Sequence, residues 1–298
     1  MRIVLSGFAG ACYGVERALA LVEEAMREGG STGGEASTGT RAQKHVRTLG
    51  PLIHNPRVVA DLRERGVEVV DEVSAVDEGV LIIRSHGVPP SVMDEAHRRG
   101  LQVVDATCPH VLKAQKAARS LREEGLEVIV VGENGHPEVE SIRAHAGEGT
   151  LVVQVPNDLP ADLPSRIGVV VQTTQAPEAL AAVLDELSAR GIEAQARNTI
   201  CSATRQRQQA AARLAHEVDL MIVVGGHNSG NTTRLYEICR AVCRQTHHIE
   251  SPDELVAAWL DGVFAVGVTA GASTPQEQIT SVVLALELLA REGPTTSD

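Results

Sequence analysis

Short runs rich in valine and isoleucine alternate with helix-like stretches along almost the whole chain, and that alternation restricts it to one class of fold. The runs lie near 3–6, 67–70, 80–83, 103–105, 128–131, 151–153, 169–171, 220–224 and 265–268. Runs so short and so continuously apolar suit strands covered on both faces, as in parallel sheets. Between them, 15–27, 57–65, 111–124, 178–190, 204–217, 232–244 and 276–291 carry apolar residues at helical spacing, several beginning beside a proline or a small polar residue. The rhythm predicts an α/β protein with mostly parallel sheets built from βαβ units. At 298 residues the chain is long enough for two or three compact units. One segment interrupts the pattern: 29–39, GGSTGGEASTG, has the composition of a flexible surface loop.

Charge and aromatic content exclude some partners. A net charge of −12 repels nucleic acid and anionic membrane surfaces, and an aromatic fraction of 2% leaves too few rings for stacking single-stranded bases. The first six residues carry one basic side chain and too short an apolar run for a signal peptide, and no later run approaches a membrane span, so a cytoplasmic protein is expected. An anionic substrate would need a local site that overrules the field of the whole molecule.

The segments just after the strands suggest such a site. Clusters of glycine with histidine, serine, threonine or asparagine occur at 85–87, 132–138, 172–175, 225–231 and 269–273. Ligands of open parallel sheets sit beyond the carboxyl ends of the strands, so these clusters point to one shared site. Turns entering helices at Gly14, Gly230 and Ser273 also offer backbone N–H groups to a phosphate. Neither a Walker A sequence nor a GxGxxG fingerprint occurs there. A diphosphate held by neutral donors and histidines fits better than a nucleotide.

The five cysteines separate into two groups. Cys12, Cys108 and Cys201, spaced 96 and 93 residues apart, divide the chain into thirds, and each stands at a loop-to-helix junction. A helix N-terminus favours the thiolate that a ligand or nucleophile needs. Cys239 and Cys243, four apart within a predicted helix, read as core or surface thiols. Three thiolates without a CxxC pair are unlike a structural zinc site. They would leave one corner of an iron–sulfur cubane without a protein ligand, where iron can act on a substrate. Cys12 with Arg17 is one residue short of a phosphatase loop. A non-catalytic iron–sulfur sensor and a zinc hydrolase with a cysteine-lined metal remain as other readings of the same residues.

Ordered motifs narrow the choice: GVERA at 14–18, TLGPLIHNP at 48–56, RSHG at 84–87, DATCP at 105–109, HPEV at 136–139, QTT at 172–174, TICSAT at 199–204, NSGN at 228–231 and TAGAS at 269–273. With them the chain resembles, almost end to end, the 4-hydroxy-3-methylbut-2-enyl diphosphate reductase family, iron–sulfur enzymes of the non-mevalonate isoprenoid pathway. The resemblance implies three α/β domains related by a pseudo-threefold axis around one 4Fe-4S cluster per chain. The domains would be 13–108, 109–197, and 198–298 completed by 1–12. It implies Cys12, Cys108 and Cys201 as cluster ligands, with the substrate hydroxyl at the open iron. His54, His86, His136, Ser229, Asn231 and Ser273 would surround the diphosphate, joined by the backbone of Gly230. Thr173 would touch the hydroxyl end, and Glu138, with His136 and Thr173, would handle protons. Two electrons would come from a separate ferredoxin- or flavodoxin-like donor, since no nicotinamide or flavin motif is present.

Taken alone, these histidines could be hydrogen-bonded loop residues and Glu138 a carboxylate favoured by a helix dipole. Three departures from the family pattern stand out: Ala11 in place of an aromatic residue, Gly230 where some relatives have serine, and the inserted 29–39 segment.

Overall fold

The computed structural model describes residues 1–30 and 45–292. Within them lie twelve strands: β1 (Arg2–Leu5), β2 (Val46–Leu49), β3 (Val67–Val70), β4 (Val80–Ile83), β5 (Gln102–Asp105), β6 (Glu127–Val131), β7 (Leu151–Val153), β8 (Arg166–Val171), β9 (Glu193–Arg197), β10 (Leu220–Val224), β11 (Thr246–Ile249) and β12 (Ala265–Ala270). The described helices are α1 (Tyr13–Gly30), α2 (Pro56–Glu64), α3 (Pro90–Arg98), α4 (Pro109–Glu123), α5 (Pro137–Ala146), α6 (Pro177–Ala189), α7 (Ser202–Ala215), α8 (Gly230–Val242) and α9 (Gln276–Glu292). Proline opens five of them, α2 to α6, at the position where a missing N–H costs no hydrogen bond.

The strands form three four-stranded sheets in the orders β3-β2-β4-β5, β7-β6-β8-β9 and β1-β12-β10-β11, and every described pairing is parallel. Numbered along the chain within its own sheet, each reads 2-1-3-4, with β1 filling the fourth place of the sheet formed by the last strands. The same topology therefore occurs three times. In each repeat a helix follows the first, third and fourth strands: α2, α3 and α4; α5, α6 and α7; α8, α9 and α1. The inner strands β4, β6, β8, β10 and β12 are almost wholly buried valine, isoleucine, leucine and alanine, as strands covered on both faces must be.

These residues divide into two compact units. One comprises Met1–Cys12, His54–Pro56 and Cys201–Asp298 and holds the sheet β1-β12-β10-β11. The other comprises Tyr13–Ile53 and Arg57–Ile200 and holds the remaining two sheets. Among the described residues no helix is long and apolar enough to cross a membrane.

Periodicity missed β2, β9, β11, α3 and α5. Strands β9 and β11 are sheet edges whose sequences, EAQAR and THHI, are mostly polar and lack a continuous apolar run. Helix α5 buries Val139, Ile142 and Ala146 at helical spacing, a pattern obscured by the polar cluster at its start. Of the 29–39 segment, Gly29 and Gly30 end α1 and the rest lies outside the described residues.

Candidate active site

The 2-1-3-4 strand order puts the candidate residues where chemistry is easiest to assemble. Strands one and three of such a sheet are neighbours whose connections leave in opposite directions, opening a crevice at their carboxyl ends. His54 follows β2, His86 follows β4, His136 and Glu138 follow β6, Thr173 follows β8, Ser229 to Asn231 follow β10, and Ser273 follows β12. Cys12, Cys108 and Cys201 follow the fourth strands β1, β5 and β9 and stand immediately before α1, α4 and α7.

In the unit built on two sheets, Glu138 is 2% exposed and its carboxylate is gripped by one residue. The Thr173 backbone N–H donates to Oε1 at 2.6 Å and the Thr173 hydroxyl donates to Oε2 at 2.9 Å. Burial pushes the Glu138 carboxyl up to about 7, although both Thr173 bonds pull it down; the nearby Glu133 carboxylate adds to the rise. A carboxyl balanced near neutrality can both give and regain a proton. His136 caps α5: its Nδ1 accepts the Glu138 N–H at 3.1 Å, which leaves the ring proton of the neutral form on Nε2 as a donor. The His86 ring meets His136 edge-on, with centroids 5.7 Å apart.

The Cys108 junction is tied to the same region. Its N–H donates to the Ser85 carbonyl at 2.9 Å, and Arg17 donates to the carbonyls of Thr107 and Asp105 at 3.2 and 3.3 Å. Arg17 thus fastens the loop before Cys108. Gly87 makes a second tie possible: at φ +71 it leaves room for Gln115, which donates to Ser141 Oγ at 2.8 Å, and a Cβ there would lie 2.5 Å from Gln115 Nε2. Gly87→Ala is expected to lower stability by about 2–4 kcal/mol, combining left-handed strain with loss of a buried hydrogen bond. Chemical denaturation checks this, and a change within 0.5 kcal/mol, roughly that of an ordinary surface substitution, would contradict it.

In the other unit Cys12 donates its N–H to the Ala272 carbonyl at 3.0 Å, and Cys201 Sγ accepts the Thr204 N–H at 3.2 Å. Arg207 lies beside both junctions, 3% exposed, donating to the carbonyls of Gly10 at 2.7 Å and Ala203 at 3.5 Å. Ser229 caps α8 by accepting the Thr232 N–H at 3.4 Å. Asn231, 6% exposed, has both ends of its amide buried without a partner among the described residues, the state of a group reserved for a ligand. The Ser273 hydroxyl donates to the His54 carbonyl at 2.9 Å, while Asn55 Nδ2 donates to the Ser273 carbonyl at 2.8 Å.

As a donor set, Cys12, Cys108 and Cys201 suit an iron–sulfur cluster. No disulfide joins them, all are of intermediate exposure at helix starts, and the Cys201 sulfur accepts a backbone N–H. Among the described residues no three His, Cys, Asp or Glu side chains are grouped as ligands of a single ion would be. Cys239 and Cys243 are buried in an apolar core, and burial pushes the Cys239 thiol up to about 12.

Three residues of these networks were given no role by sequence reasoning. Gln172, fully buried, accepts the Glu133 N–H at 3.0 Å and orders the turn before His136. Asn55 and Arg207 are the others. Asn55 lies within TLGPLIHNP, where its buried amide had a local signal in the adjacent His54; Arg207 had only its three-residue steps from Cys201 through Thr204.

The LytB protein family model matches residues 3–287. The 4-hydroxy-3-methylbut-2-enyl diphosphate reductase of Geotalea uraniireducens is 44% identical over 294 residues, covering 98% of this chain and 99% of that protein. The protein of the same name from Trichlorobacter lovleyi is 47% identical over 289 residues, covering 96% and 98%. Among solved structures, an (E)-4-hydroxy-3-methyl-but-2-enyl diphosphate reductase described as the terminal enzyme of the non-mevalonate pathway superposes with a TM-score of 0.69 at 40% identity, over 97% of this chain and 100% of that one. The Plasmodium falciparum E-1-hydroxy-2-methyl-but-2-enyl-4-diphosphate reductase gives 0.86 at 26% identity, over 96% and 87%. Similarity that spans nearly the whole of both partners, on a chain whose polar residues line the carboxyl ends of three like sheets, makes this chain a member of the LytB family.

Proposed function

We propose that this chain reduces (E)-4-hydroxy-3-methylbut-2-enyl diphosphate to isopentenyl and dimethylallyl diphosphate, the last step of the non-mevalonate isoprenoid pathway. The observation that carries the reading is the buried Glu138–Thr173 pair, a carboxyl held at about 7 in a chain of this family. Removing a hydroxyl as water and completing an allylic product both consume protons, so the reaction needs such a group. Cys12, Cys108 and Cys201 hold one 4Fe-4S cluster. When bound, it supplies electrons received from outside and Lewis acidity at the iron that three cysteines leave without a protein ligand.

The remaining roles belong to side chains. His54, His86 and His136, together with the neutral donors Ser229, Asn231, Ser273 and the Gly230 N–H, bind the diphosphate, which is how a chain of net charge −12 accepts an anion. The unpartnered Asn231 amide supports this. Thr173 contacts the substrate hydroxyl and relays the proton of Glu138, while His136 fixes the start of the helix that carries Glu138. Electrons come from a ferredoxin- or flavodoxin-like protein. The domains are 13–108, 109–197, and 198–298 with 1–12, an assignment supported by the strand order that recurs three times.

Anaerobic purification, metal analysis and turnover of the named substrate with a low-potential reductant test the proposal. Iron together with five-carbon diphosphate products is expected; zinc, or an iron protein inert towards this substrate, would send the assignment to a hydrolase or a sensor. A general acid must be protonated, so turnover should fall as pH rises through about 7. Thr173→Val removes one donor to the carboxylate, a bond of about 1.5–3 kcal/mol. It should therefore slow turnover and move that limb about one to two pH units higher. A limb left in place would separate Thr173 from the proton donor.

A further inference from the structure

We propose that Arg207 is a positioning residue, a buried cation that clamps the Cys12 and Cys201 junctions and sets how readily the iron–sulfur cluster takes up an electron. The inference rests on the reading that these cysteines hold the cluster. Its geometry is specific. Cys201, Thr204 and Arg207 succeed one another at three-residue steps from the start of α7, so they share one face. From that face one guanidinium reaches the Gly10 carbonyl, two residues before Cys12, and the Ala203 carbonyl, two residues after Cys201. Gly10 is held at φ +104, a conformation that suits only glycine, with its carbonyl on Arg207.

The charge is harder to explain by structure alone. A guanidinium 3% exposed costs several kcal/mol unless an anion offsets it. Among the described residues no carboxylate pairs with Arg207, and its buried Nε has no partner. Burial lowers the Arg207 pKa, and the electrostatic influences that oppose this come from Cys12 and Cys201. If helix packing were the whole role, an apolar side chain would serve at lower cost. A fixed cation beside two thiolates instead lowers the repulsion that an incoming electron meets, and in a dry site that effect is large.

The experiment compares anaerobically prepared wild type with Arg207→Lys, Arg207→Gln and Arg207→Met, reading iron content and the midpoint potential by a redox titration monitored by electron paramagnetic resonance. The lysine variant should keep iron and a potential near that of wild type. The glutamine and methionine variants should shift the one-electron equilibrium at least about tenfold against reduction, that is about 59 mV more negative. Full iron with an unchanged potential in the glutamine variant would overturn the proposal. Should glutamine and methionine variants lose iron while lysine retains it, charge is what keeps the thiolates in place and the proposal stands; if lysine loses iron as completely as methionine, charge is not the relevant property and it fails. Wild type without iron would instead remove the functional reading, independently of Arg207.

Discussion

Glu138→Gln should lower turnover by about two to four orders of magnitude, the range attributed to a single general acid, while iron content and cluster spectrum stay those of wild type. Glutamine keeps the shape, and its carbonyl can still accept the Thr173 N–H that reaches Oε1. What it lacks is a proton to give. The same substitution has a signature in stability. Because the folded carboxyl titrates at about 7 and its ordinary value is 4.5, the folded state holds the proton more tightly than the unfolded state. Below pH 4.5 both states are protonated and the contribution is fully present; as pH rises from 4.5 to about 7 the unfolded chain ionises first and stability is lost. At ~1.36 kcal/mol per tenfold the loss amounts to about 3 kcal/mol. Glutamine does not titrate, so over that window the variant should gain stability relative to wild type. Denaturant unfolding at pH 4 and pH 8 measures the difference. A variant with near-normal turnover removes the proton-donor role, and a constant stability difference removes the buried, raised carboxyl.

That raised carboxyl marks where sequence reading reaches its limit. HPEV at 136–139 admits two explanations, a helix-start carboxylate favoured by the dipole or an acid, and the letters do not choose between them. Burial does, and neither it nor the hydrogen bonds from Thr173, 35 positions away, can be read from the local letters. The α/β class was legible because strands such as β10, LMIVV, are apolar at every position. Edge strands β9 and β11 were not, since EAQAR and THHI lack such a run. The junction cysteines were legible through their position before helices, and the structure adds that each comes after the fourth strand of its sheet. Arg207 carried no signal of its own in the polar helix segment TRQRQQ; its burial and its carbonyl partners are visible only in the structure.

Removing any one of the three junction cysteines is the other change with a large effect. Cys12→Ala, Cys108→Ala and Cys201→Ala should each reduce bound iron severely and bring turnover to background, because a cluster with only two protein thiolates exposes two irons to exchange. Cys108→Ala is the most informative of them. Its junction is held by main-chain and arginine hydrogen bonds that the substitution leaves in place: the Cys108 N–H to Ser85, and Arg17 to Thr107 and Asp105. The backbone should therefore keep its conformation, and thermal unfolding of the apo forms should differ little between this variant and wild type. Cys239→Ala is the control that separates ligation from the general loss of a thiol. Cys239 is fully buried against α7, its thiol pushed up to about 12 by burial, so it supplies no thiolate at neutral pH. The control should keep wild-type iron and turnover and lose about 1–2 kcal/mol of stability to the small cavity. Iron and turnover retained by Cys108→Ala would remove Cys108 from the ligand set, whereas iron lost from all four variants alike would mean that loading depends on the integrity of the fold and not on these three thiolates.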